Sequence, residues 1–210
     1  MSTAASDVPY YCQWESADLA ARFIEGSLPA TADPLWARSG ASTPEEYAFW
    51  CRKVCGLACL KMLLAARGLP VPPTMTLVQG ALSCGAFVPA GTGVRGLIYR
   101  PFADWVGPEY GIEVHVAVAL PMGEVLEHAS AGRPVIASVH PSIRWPQRTP
   151  PQRGGHLVLV TGLRDVAGNQ DPLIRLHNPS GLPGASQQDA LISRADFEKF
   201  FASRGMIIKA

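Results

Sequence analysis

Apolar positions along this chain recur with two different periods, and the change falls near residue 111. Before it the spacing is helical; from Ile112 onward apolar residues alternate or run in short blocks, as strands do. The densest helical stretch is Trp50 to Gly68. Leu60, Met62, Leu63 and Leu64, with Ala58, Ala65 and Ala66, predict a largely buried helix opened by Cys55-Gly56, and Gly68 sits where a left-handed cap would close it. Ser16 to Gly26 predicts a helix with Leu19, Phe23 and Ile24 inward. Thr43-Pro44-Glu45-Glu46 is a capping box with Pro at the first helical position, so a short helix should carry Tyr47, Phe49 and Trp50 toward Cys55 as core or cleft wall. Two more helices are expected near Thr74–Ser83 and Gly96–Val106, the second packing through Ile98, Tyr99, Phe102 and Trp105. Val8 to Gln13 reads as a short strand.

In the second half, Ile112–Val118 alternates as a strand, Met122–Ala131 is a short helix and Arg133–His140 a second strand. His156–Gly162 reads as a central strand, Asp165–Asp171 as a polar turn and Leu173–His177 as the partner strand. Ser193 should cap a helix through Phe200, and Met206–Lys209 should close the sheet. Early helices followed by mostly antiparallel strands imply an α+β domain with a cleft between the Cys55 helix and the sheet. Two loops interrupt this order. One, rich in Pro, Ser and Ala, runs to Ser42; the other, residues 141–155, holds four Pro and three Arg. A loop that long in a compact domain is usually functional or disordered, so 141–155 is either one wall of the cleft, with Trp145 and Arg144 or Arg148 as contacts, or a mobile solvent loop.

Composition narrows the class. At 210 residues and 48% hydrophobic, the chain suits one well-cored domain spanning 1–210 and is short for two. A formal charge of +1 without any Lys/Arg run argues against nucleic acid or an anionic membrane surface, and leaves small or peptidic partners. Met1 to Asp7 has no basic region followed by an apolar core, and no later stretch offers about twenty unbroken apolar residues, so a cytoplasmic protein is expected. Oligomeric state is left open. The five Cys are an odd number, and Cys51, Cys55 and Cys59 fall at i, i+4, i+8 of one helix face, which suits reduced thiols. A shared ion is the other use of such a stripe. Structural zinc usually takes four Cys or His ligands, and no second Cys pair completes that set, so neither metal nor cofactor is expected.

Cys55 carries the candidate chemistry. A thiol at the positive end of a helix dipole has a lowered pKa and favours the thiolate, while Gly56 leaves room for a substrate backbone. The plainer reading is that an unpaired Cys in an apolar helix is a small core residue. What favours chemistry is the order of the rest: Gly154-Gly155 lets the loop turn tightly beside the cleft, His156 opens a buried strand, and Asn178-Pro179 leaves the next one. Cys, His and Asn in that order are what a Cys-His-Asn triad requires. Asp171 is the other candidate for the third member. Antiparallel pairing returns the end of the second strand to the start of the first, which favours Asn178 and leaves Asp171 roughly 17–20 Å away at about 3.4 Å per residue. His115 and His140 read as satisfied polar residues, His128 as a helix C-terminal cation, and His177 as turned away from Asn178.

Taken together, Val8-Pro9-Tyr10-Tyr11-Cys12-Gln13, Cys55-Gly56-x-Ala58, Gly155-His156 and Asn178-Pro179 resemble the papain-like cysteine peptidases of the bacteriocin-processing (double-glycine) family and their stand-alone relatives. The resemblance runs from Val8 to Lys209. It implies a papain-like fold with N-terminal helices packed on the sheet, Cys55 as nucleophile, His156 as base, Asn178 as its orienter and Gln13 as an oxyanion donor. Three features depart from the family: Leu57 stands where Pro is common, Asn178 where Asp is common, and Gln13 and Cys55 are unusually far apart. The activity implied is attack on a peptide or other amide carbonyl, the thioester then being resolved by water or by an amine. A domain that keeps the fold without chemistry, and a redox or metal protein built on Cys51, Cys55 and Cys59, are the alternatives.

Overall fold

The computed structural model describes residues 7–166 and 171–209. It is α+β, with seven α-helices among the described residues and two antiparallel sheets. In chain order the elements are α1 (Ala20–Glu25), α2 (Pro44–Trp50), α3 (Cys55–Ala66), α4 (Thr74–Ser83), β1 (Val88–Ala90), β2 (Gly93–Arg95) and α5 (Tyr99–Tyr110), then β3 (Val114–Ala117), α6 (Met122–Ser130), β4 (Val135–Val139), β5 (His156–Arg164), β6 (Leu173–His177), β7 (Ala190–Ile192), α7 (Arg194–Phe200) and β8 (Phe201–Ile208). β1 and β2 form a small hairpin, and the other six strands form one sheet in the order β3-β8-β4-β5-β6-β7.

Both faces of that sheet are covered, which follows from the alternation of side chains along its central strands. Ile136 of β4, Leu157 and Leu159 of β5 and Met206 of β8 face a core built with Leu57, Leu60 and Leu64 of α3 and Phe102 of α5. Val135, Ala137, Val158 and Val160 face the opposite core, closed by Val125 of α6 and Phe197 and Phe200 of α7. A strand apolar on both sides needs helices on both sides. α3 therefore lies directly on β5, and the first residues of each meet.

A third apolar cluster, Trp14, Ala20, Phe23, Tyr47 and Cys51, organises residues 14–51 around a buried carboxylate. Asp33 accepts from Ser16 Oγ at 2.6 Å and from the N–H of Leu35 at 2.9 Å, and also from the Tyr47 hydroxyl. A buried charge needs this many donors, and they knit the Pro-rich segment to α2, just before Cys55. The α2 cap forms much as its sequence requires: Thr43 Oγ1 accepts from Glu46 N–H, while the Glu46 carboxylate reaches back to Ser42 N–H rather than to Thr43.

Several boundaries move. Val8–Gln13 is not a strand; it is held by single bonds, with Tyr10 Oη donating to Asn178 O and Gln13 N–H to Pro179 O. The Ser16–Gly26 helix is a 3-10 turn at Ala17–Leu19 followed by α1. α5 starts at Tyr99 and continues to Tyr110, because Gly111 at φ +66° supplies the stop. β8 begins directly after α7 and lies inside the sheet between β3 and β4 rather than at its edge. The hairpin β1–β2 and the edge strand β7 have no counterpart in the sequence reading. Of the polar turn at 165–171, residues 167–170 lie outside the described residues, as do residues 1–6 of the N-terminus. Among the described residues no helix is long and apolar enough to cross a membrane.

Candidate functional site

Cys55 is the first residue of α3, and packing of α3 on β5 sets it against the start of that strand. It shares the wall of a cavity of about 150 Å³ with Gly155, His156, Leu97, Tyr99, Ser138 and Arg204. Gly154 and Gly155, at φ +86° and +94°, turn the 141–155 loop into β5 through a conformation that glycine alone adopts without strain. His156 pairs with Val139 across β4 and β5, so the sheet fixes its backbone on one side.

The other side is fixed by β6. Leu159 pairs with His177, so the chain leaving β6 turns back toward the first residue of β5. Asn178 Oδ1 lies 2.8 Å from His156 Nε2. Asp171 stands beyond the opposite end of the same ladder, where Leu173 pairs with Arg164. The turn that follows Asn178 is wedged in place: a side chain at Gly181 would put its Cβ 2.1 Å from Ser186 O, and Asn178 N–H donates to Gln187 O at 2.8 Å.

One backbone group in that turn decides the protonation of the imidazole. Ser180 N–H can only donate, and it meets the Asn178 side chain at 3.0 Å, so the atom there is Oδ1. His156 Nε2 faces that same oxygen and must donate as well. Nε2 therefore carries the proton and Nδ1 keeps its lone pair, engaged by no protein group among the described residues. Ser180 Oγ, 3.1 Å from Nε2, is in turn held by Arg144 Nη2 at 2.8 Å. Asn178 Nδ2 is buried without a partner.

Burial sets the charge state. It pushes the His156 imidazole down to about 4; the Asn178 hydrogen bond opposes the shift, and Arg144 and His140 add to it. Burial also raises the Cys55 thiol above its ordinary value, against the N–H groups of Leu157, Gly56 and Cys55 itself. This corrects the expected thiolate: desolvation outweighs the helix N-terminus, and at neutral pH the resting pair is a thiol and a neutral imidazole. Among the described residues no hydrogen bond joins Cys55 Sγ to His156.

Cys55, His156 and Gly155 thus share one cavity, with Asn178 bonded behind His156. Three other residues are placed elsewhere. Gly56 leaves no space for a substrate, since Leu97 and Leu157 fill it; a Cβ there would stand 2.7 and 2.9 Å from their methyl carbons. Gln13 is buried beside Pro179 and does not line the cavity. Trp145 belongs to a different cavity, because the short helical turn Pro141–Arg144 carries it to the far side of Asn178. Cys12, Cys51 and Cys59 are thiols that burial raises, the first two to about 11. Among the described residues no group of three His, Cys, Asp or Glu is arranged to hold a metal.

The sequence reading passed over Ser180, Ser138 and Arg204, and gave Tyr99 to packing alone. Ser180 had a local signal, standing two residues after Asn178 in a Pro-Ser-Gly turn, the spacing at which an Asn side chain caps a backbone N–H. Arg204 had none, since it arrives through the pairing of β8 with β4. The chain matches no protein-family model and no curated protein sequence.

Proposed function

We propose that this protein is a cysteine-nucleophile enzyme that opens amide bonds, built on the papain-like fold and similar to the bacteriocin-processing (double-glycine) peptidases and their stand-alone relatives. The observation that carries the reading is the state of His156: its Nε2–H is anchored on Asn178 at 2.8 Å while Nδ1 keeps its lone pair, in a ring that borders a cavity with Cys55. That is the arrangement a thiol requires of its base.

From a neutral pair, proton transfer accompanies attack. Nδ1 takes the Cys55 proton as the S–C bond forms, and N–H groups at the start of α3 meet the developing oxyanion. The imidazolium then protonates the leaving nitrogen as the C–N bond breaks, leaving a thioester. His156 next deprotonates a water, which releases an acid, or an amine, which completes an acyl transfer. The substrate is a peptide or an amide-bearing small molecule, and the compartment is the reducing cytoplasm, where the free thiols persist. In free enzymes the bond between base and nucleophile is often long and tightens when substrate binds.

Mass spectrometry of candidate peptides and acyl-amines incubated with the wild type and with Cys55→Ala reports hydrolysis, transfer or neither. Products formed by the wild type alone support the reading; equal product formation by Cys55→Ala removes it. The missing Cys55–His156 hydrogen bond favours a second reading, a peptidase-like domain that binds without chemistry. Under that reading the two proteins retain peptides equally and release nothing.

A further inference from the structure

Behind the His156–Asn178 pair lies a second cavity, of about 250 Å³, that shares no lining residue with the one at Cys55. Its walls are mostly apolar, with Ile143, Leu176, Leu182 and Ile192 among them, and Trp145 on one side. Arg144 is the charged residue in this lining. Two protein acceptors engage it, Pro141 O at 2.9 Å from Nε and Ser180 Oγ at 2.8 Å from Nη2, out of the five N–H groups a guanidinium offers, and its carbon lies 5.4 Å from the centre of the Trp145 ring. Among the described residues no carboxylate pairs with it. A half-buried cation without a counter-charge is costly unless something supplies the charge. Asn178, which borders the same space, has a buried and unpartnered amide nitrogen.

We infer that this rear cavity is a binding site for a small aliphatic carboxylate, its anion paired with Arg144 and its hydrocarbon tail laid along Leu176, Leu182, Ile192 and the Trp145 ring. One guanidinium in apolar walls matches a monoanion with a tail; a phosphate would bring more charge than the site can neutralise. At the roughly 30 Å³ that one water occupies in the liquid, the space takes about eight non-hydrogen atoms, the size of hexanoate. Arg144 stays cationic at neutral pH even though burial and the nearby Arg52 hold it down at about 10. Because Arg144 also holds Ser180, which touches His156, an occupied rear cavity bears on the imidazole from the side away from Cys55.

The test is titration of the full chain with hexanoate and with hexanamide, which has the same size and no charge. Binding is followed by ¹⁵N–¹H spectra in which the Trp145 indole N–H is assigned through Trp145→Phe. Hexanoate should saturate and move the Trp145 and Asn178 side-chain signals, with hexanamide about tenfold weaker. Arg144→Gln should erase that preference, and Leu182→Trp, which fills the cavity, should weaken both ligands. The inference fails if hexanoate does not bind, if acid and amide bind the wild type equally, or if the shifts cluster at Cys55, Tyr99 and Arg204. The wild-type spectra decide it even if a variant does not fold. None of these readouts uses turnover, so the outcome is independent of the amide-bond chemistry proposed above.

Discussion

The two cavities on either side of the His156–Asn178 hydrogen bond are built on opposite principles. The front one, at Cys55, is the smaller, about 150 Å³ against 250 Å³; the thiol there has only backbone N–H groups about it, and Nδ1 is engaged by no protein group among the described residues. At the rear the wall is tied down: Asn178 Oδ1 accepts from His156 and Ser180, Ser180 links His156 to Arg144, and Gly181 packs too closely on Ser186 to accept a side chain. One ring nitrogen is locked and the other is left available. Under the proposed function, positioning belongs to the rear and reactivity to the front, which gives mutations on the two sides different signatures.

The largest effect should come from the front. Cys55→Ala and His156→Ala are each expected to lower turnover on a true substrate by at least about 10³-fold, since members of such a unit fail together. Cys55→Ala should leave thermal unfolding within a few degrees of the wild type. A variant that unfolds early would mean that Cys55 is a packing residue. Labelling follows the corrected charge state: with the thiol raised by burial, iodoacetamide should react slowly at pH 7 and faster as pH rises toward the alkaline range. Fast labelling at pH 6 would contradict the neutral pair.

On the rear side, Asn178→Ala should lower activity by about 10²-fold and also destabilise by about 1–3 kcal/mol, because Ser180 N–H loses its acceptor in a buried place. Both readouts should move, whereas the front-side change moves one. Asn178→Asp sharpens this: a carboxylate next to Nε2 favours the imidazolium and should carry the acid limb of the pH–rate profile upward. Asp171→Ala, beyond the far end of the ladder, should leave rate and stability unchanged. A loss with Asp171→Ala and none with Asn178→Ala would falsify the orienter assignment.

How much of this was legible in the sequence depended on whether a feature was local. The α3 helix, its closing glycine and the α2 cap are written in short-range pattern, and the structure has them. Asn178 beside His156 followed from antiparallel pairing, a rule that needs only two neighbouring strands. What failed required packing from afar: Gly56 reads as open space until Leu97, some forty residues later, fills it. Trp145 reads as cleft wall until the turn at Pro141–Arg144 sends it behind Asn178. The thiolate reading failed for the same reason, since a helix terminus is visible in the chain and the depth of its burial is not. Val8–Gln13 has the composition of a strand but joins no sheet among the described residues, and its bonds reach His177 and the Asn178 turn instead.

A change of pH alone also separates the two sides. His156 is held near 4 in the folded protein, against about 6.5 for an exposed imidazole. Above pH 6.5 neither folded nor unfolded chain protonates it, and its contribution to stability is complete. As pH falls from 6.5 toward 4, the unfolded chain takes up a proton that the folded one refuses, so stability declines; below 4 both are protonated and the slope vanishes. The full shift corresponds to a loss on the order of 3 kcal/mol. His140, lowered by burial and by Arg144, adds loss in the same direction, so the wild-type curve alone does not isolate His156. The comparison that does is urea unfolding at stepped pH for the wild type and for His156→Gln, whose amide can still donate to Asn178 Oδ1. The variant should lose most of the wild-type decline between pH 6.5 and 4 while keeping its stability at pH 7.5. If the two proteins lose stability in parallel across that window, the imidazole is not buried neutral between the two cavities, and the division of labour between its nitrogens fails with it.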